Sequence, residues 1–99
     1  MTIVKNQNGD SLTIAIEGRL DTTTAPQLEK ELDACLNGIS ELIFDLEKLV
    51  YLSSAGLRVF LATQKRMNKQ GSMEIHNANS DIMEIFDITG FVDILTIAE

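Results

Sequence analysis

The 99-residue chain carries 8 basic and 15 acidic residues, a formal net charge of −7, and 44% apolar residues. That length is one domain, and the apolar content supports a core that buries roughly 60–65% of the unfolded surface, which excludes a disordered chain. The acidic balance argues against nucleic acid or an anionic membrane surface as partner and favours a basic protein surface, besides aiding solubility.

The chain opens as a hairpin. Ile3 and Val4 begin a strand, Asn8-Gly9-Asp10 is a turn signal, and Leu12, Ile14 and Ile16 alternate with Thr13, Ala15 and Glu17. Such alternation describes a strand with one covered face. Met1–Asp10 has no basic region followed by an apolar core, and no stretch approaches the ~20 apolar residues of a membrane span, so a cytoplasmic protein is expected. Gly18 to Thr24 connects to a helix, for which Thr24-Ala25-Pro26-Gln27 reads as a capping box with Pro26 in the first turn. Leu28, Leu32, Cys35 and Leu36 form its apolar face, and Asn37-Gly38 ends it. Cys35 is the only cysteine, which rules out an intramolecular disulfide and makes a buried, inert thiol the simple reading.

Glu41 to Arg58 organises the rest. Leu42-Ile43-Phe44 and Leu46 form a nearly unbroken apolar run, which suits a strand covered on both faces in the middle of a sheet. Ser53-Ser54-Ala55-Gly56 then opens a helix expected from Ser54 or Ala55 to about Asn68, with Leu57, Phe60 and Leu61 on its face and Val59 and Ala62 widening it. Lys65, Arg66 and Lys69 complement the negative pole of its dipole. Gln70-Gly71 turns the chain into a short strand, Met73 to His76. Asn79 or Ser80 can cap a third helix with Ile82, Ile85 and Phe86 as its stripe, and Gly90 stops it. Val92 to Ile97 reads as a last edge strand or a short helix start. The order is β-β-α-β-α-β-α-(β): an α/β fold, one domain over residues 1–99, with a mixed four- to five-stranded sheet, an opening β-hairpin and helices packed on the sheet.

Two hydroxyls, Ser53 and Ser54, thus stand at a helix N-terminus, where unpaired amides and the helix dipole favour negative charge. Serine is also a preferred N-cap, so the residues alone allow a purely structural role. Asp21 and Asp45 read equally well as turn or strand-end carboxylates. His76, the only histidine, has no ligand companion, and the chain lacks an acidic pair for Mg²⁺, a P-loop and a GxGxxG motif. No cofactor, metal or enzymatic activity is expected. Met67, Met73 and Met83 read as core or rim filler.

Leu52-Ser53-Ser54-Ala55-Gly56-Leu57, together with Glu17-Gly18-Arg19-Leu20-Asp21, resembles the phosphorylation-site turn and the glycine-leucine-aspartate signature of the STAS family. This is the domain shared by bacterial anti-sigma factor antagonists and the cytoplasmic tails of sulphate transporters, and the likeness runs from Ile3 to about Ile97. It implies a phosphorylation-controlled switch. The unphosphorylated form would bind an anti-sigma factor serine kinase and release a sigma factor, and a serine phosphatase would reset it. Anchoring on Gly56-Leu57 sets Ser53 at the family aspartate, Ser54 at the first family hydroxyl and Ala55 at the second. The resemblance therefore implies Ser54 as phosphoacceptor, with Ser53 as second choice, and Asp21, Ser53, Ser54, Ala55, Gly56 and Leu57 as the partner-binding set. A monomer or weak dimer is expected. The alternatives are a constitutive STAS interaction module, as in a lipid-transport or stressosome-like assembly, and a nucleotide-binding STAS domain.

Overall fold

A computed structural model describes residues 1–98. The hairpin is β1 (Thr2–Asn8) and β2 (Ser11–Leu20), antiparallel, with Gly9 supplying the positive φ of its turn. Helix α1 (Ala25–Cys35) leads to β3 (Glu41–Asp45), then β4 (Leu49–Leu52), α2 (Ser54–Gln70), β5 (Ser72–His76) and α3 (Ser80–Thr89). The described strands form one five-stranded mixed sheet, ordered β1-β2-β3-β5, with β4 also on β2. Parallel neighbours need a crossover, and α1 and α2 lie in those connections.

Strand β3 is central, parallel to β2 on one side and to β5 on the other. Its cover differs from the expectation. Leu42, Phe44 and Leu46 are fully buried, but Ile43 and Asp45 on the other face are only half-buried. The apolar Ile43 hides the alternation, so a strand covered on one face reads as a strand covered on two. The buried face meets Leu28 and Leu32 of α1, Leu57 and Phe60 of α2, and Ile82 and Phe86 of α3 in a single core.

The long strand β2 serves two partners in succession. Ser11 to Ala15 pairs with β3, and Gly18 to Leu20 pairs with β4. The serine turn therefore follows β4 rather than β3, a strand that the sequence reading treats as connection. A four-residue segment with exposed Val50 and Tyr51 at its middle has no regular period from which a strand could be recognised.

Three further details correct the sequence reading. Helix α1 is capped one turn earlier than Thr24-Gln27. The Asp21 carboxylate accepts from Thr23 N at 3.0 Å and Thr24 N at 3.1 Å, while Asp21 N donates to Thr24 Oγ1 at 2.8 Å. That reciprocal pattern is a capping box built from Asp21 and Thr24, and Thr24 itself makes no side-chain cap to the helix after it. On α2, Leu61 is half-buried and Ala62 exposed, and the buried stripe continues instead through Thr63, Gln64 and Met67. Cys35 is half-buried, and burial still pushes its thiol pKa upward.

The expected cap of α3 is present: Asn79 accepts from Ile82 N at 2.9 Å, and Gly90 closes the helix in the left-handed region. The tail Val92–Ile97 combines both expected forms. A 3-10 turn spans Phe91–Asp93, and Ile97 then bridges in parallel to Ile75 on the free edge of β5.

Candidate partner-binding site

The site is built where the ends of β2 and β4 lie side by side. Leu20 is in register with Leu52, and Ser53 N donates to Leu20 O at 2.9 Å. That bond brings the Arg19-Leu20-Asp21 segment against the serine turn, so Asp21 and the two serines share one rim of the sheet. Ser53 is extended (φ −98°, ψ 174°) and its carbonyl accepts from Leu57 N at 3.0 Å, which makes it the residue from which α2 starts.

Neither serine caps α2 through its side chain. The Ser53 hydroxyl is buried and has no hydrogen-bond partner. Ser54, the first helical residue, is exposed, and Ala55 is half-buried. The first turn of α2 holds no acidic residue. Its opening amides therefore keep their attraction for negative charge, and among the described residues Arg58, one turn further on, is in no salt bridge.

Gly56 and Leu57 are buried, which removes them from the surface that a partner touches directly. Gly56 has a packing role. A Cβ there would stand 2.7 Å from Leu20 Cγ and 2.7 Å from Leu52 Cδ1. The missing side chain thus lets α2 settle onto the ends of both strands that carry the site. Gly56→Ala is expected to cost about 1–3 kcal/mol by overpacking, read as a lower urea midpoint. A loss below about 0.5 kcal/mol would mean that the two leucines simply move aside.

Asp21 is largely committed to the turn that starts α1. Its Oδ1 also accepts from Thr23 Oγ1 at 2.7 Å, and this bond, with those from the two amides, lowers its pKa to about 2. Oδ2 faces Arg19 Nε at 3.6 Å. The Arg19 guanidinium in turn lies 4.0 Å from the centroid of the Tyr51 ring, a cation–π arrangement. Arg19, Val50 and Tyr51 are the site neighbours that the sequence reading passed over; two strand-forming residues just before Ser53 were the available signal.

The other candidates fall elsewhere. Asp45 Oδ1 accepts from Glu47 N and from Asn77 Nδ2, both at 3.1 Å, and belongs to the C-terminal end of β3, opposite Ala15 and short of the Leu20–Leu52 rim. His76 Nε2 lies 2.9 Å from Glu74 Oε1 on the half-buried face. Among the described residues no group of three or more His, Cys, Asp or Glu side chains is arranged to hold a metal ion, and no helix is long and apolar enough to cross a membrane.

This arrangement can be set beside known proteins. The chain is 34% identical over 93 residues to the anti-sigma-B factor antagonist of Bacillus subtilis, covering 93% of this chain and 85% of that protein. It is 31% identical over 88 residues to the anti-sigma-B factor antagonist of Staphylococcus aureus, covering 87% and 82%. Among solved structures, an anti-sigma factor antagonist from Mycobacterium paratuberculosis superposes with a TM-score of 0.85 at 22% identity, over 97% of this chain and 83% of that one. The Bacillus cell fate determinant SpoIIAA in its phosphorylated form superposes with a TM-score of 0.76 at 16% identity, over 99% and 92%. At those identities the two structures speak for the fold alone. The sequence pattern of the STAS domain matches residues 2–99, and with the two relatives above it shows that this chain belongs to the STAS domain family.

Proposed function

We propose that this protein is an anti-sigma factor antagonist, a binding switch rather than an enzyme. In its unphosphorylated form it binds an anti-sigma factor serine kinase and frees a sigma factor. The kinase phosphorylates Ser54, the complex separates, and a serine phosphatase restores the hydroxyl. The names of the relatives support the antagonist role. The observation that carries the choice of residue is the contrast between the two serines: Ser54 is exposed at the start of α2, whereas the Ser53 hydroxyl is buried. A kinase must reach the oxygen it modifies, and only Ser54 offers it.

Within the partner-binding set, Ser54 is exposed, Asp21, Ser53 and Ala55 are half-buried, and Gly56 and Leu57 support them from beneath. The experiment is peptide mapping after incubation with ATP and the serine kinase encoded in the same genome. One phosphate on Ser54 is expected, absent from Ser54→Ala, which still binds the kinase. Phosphate on Ser53, Thr22, Thr23 or Ser80 would overturn the assignment. An unmodified protein that binds its partner all the same would be a constitutive interaction module.

A further inference from the structure

We propose that Val50 and Tyr51, turned outward where β4 meets β2, are the apolar anchor of the partner interface, with Arg19 as its charged companion. The proposal rests on the reading that a kinase docks at Ser54, and adds which surface gives that docking its affinity.

The register between β2 and β4 is irregular. Gly18 pairs with Leu49, yet the next residue, Arg19, pairs with Tyr51, so Val50 is the extra residue of a bulge. Bulges re-aim side chains and recur beside functional sites. Here the bulge buries Leu49 and Leu52, three positions apart, and sends both residues between them outward. Val50 is 69% exposed and Tyr51 40%. Burying the two leucines requires only that an extra residue be present; it does not require that residue to be apolar. A threonine or lysine would serve the bulge and spare the surface an exposed valine.

Tyr51 is also held in place. Its ring carries the Arg19 guanidinium at 4.0 Å, and Arg19 is also paired with Asp21 Oδ2 at 3.6 Å. Tyrosine and arginine are the side chains that most often dominate interface energies, and ordering them beforehand lowers the cost of binding. The Arg19 side chain is still 59% exposed, so its outer nitrogens are open to a second carboxylate. The occupant that fits is the kinase, presenting an apolar socket for Val50 and Tyr51 with a carboxylate on its rim for Arg19. Tyr51 and Ser54 are three residues apart, at most about 11 Å along the chain, so one partner covers both. Beyond the hairpin, the other large exposed apolar residues among those described, Ile88, Val92 and Ile94, sit on α3 and after it, outside the paired ends of β2 and β4.

The probe is the purified serine kinase that labels Ser54, and its affinity is measured by titration calorimetry. Val50→Thr and Tyr51→Ser are each expected to weaken binding at least fivefold. Ile88→Thr should stay within twofold, and the melting temperatures of Val50→Thr and Ile88→Thr should match the parent. Val50→Thr keeps the shape of the side chain, so the test stands even if Tyr51→Ser folds poorly. Kinase affinity within twofold for Val50→Thr, or an equal loss in Ile88→Thr, overturns the anchor and leaves the switch intact. A genome whose kinases neither bind the protein nor label Ser54 overturns the switch itself, and the anchor with it.

Discussion

Phe60→Ala is expected to lower the unfolding free energy by about 3–5 kcal/mol, the range for removing a fully buried aromatic ring. Phe60 is fully buried on α2, its ring 5.1 Å from that of Phe44 on β3 and 6.4 Å from that of Phe86 on α3. One side chain therefore joins the central strand to two helices. Its removal forfeits the transfer free energy of the ring and leaves a cavity that three elements of fixed backbone cannot close. A domain of this size has roughly 5–15 kcal/mol in total, so the variant should be near the limit of folding. Urea unfolding should show a lower midpoint with an unchanged slope. Phe60→Leu, which keeps most of the volume, should lose clearly less. A loss under about 1 kcal/mol for the alanine variant would mean that the three rings do not form the centre of the core.

The residues that make this core were also the most legible. Leu12, Ile14 and Ile16 alternate, and Leu57 and Phe60, like Ile82 and Phe86, recur at helical spacing, because each pattern records contact with a single shared interior. The family motif located the serine turn in the same way. What escaped the reading depends on contacts distant in sequence. The burial of the Ser53 hydroxyl is a property of tertiary packing, as is the β4 bulge, which exists only through the pairing of Arg19 with Tyr51 across more than thirty residues. The cap of α1 lies one turn before the sequence expectation for a different reason. Asp21 and Thr24 make a reciprocal box with an unusual pair of side chains, and the more familiar Thr-x-x-Gln spacing three residues on masks it in the sequence. Gly56, which the resemblance places in the partner-binding set, is buried instead, and Leu20 and Leu52 fill the space beside it.

Phosphorylation of Ser54 is expected to weaken kinase binding at least tenfold, about 1.4 kcal/mol, while shifting stability by no more than about 1–2 kcal/mol. The two effects separate because the fold and the interface meet the phosphate differently. Within the chain, Ser54 is exposed, no side chain caps α2, no acid stands in its first turn, and Arg58 follows one turn later. Negative charge is favourable there. At the interface, the same dianion must be stripped of water against a surface shaped for a neutral hydroxyl, and without a prepared cation that desolvation is not recovered. Ser54→Asp should reproduce only part of the loss, because it has less charge, fewer acceptor oxygens and a shorter reach. Thermal unfolding and kinase affinity, measured on protein carrying serine, phosphoserine or aspartate at position 54, test both halves. A domain that melts on phosphorylation would make this a folding switch. An affinity unchanged within twofold would make the serine turn a structural element of a constitutive module. The combination of an intact fold and lost affinity is what local repulsion at the start of α2 requires.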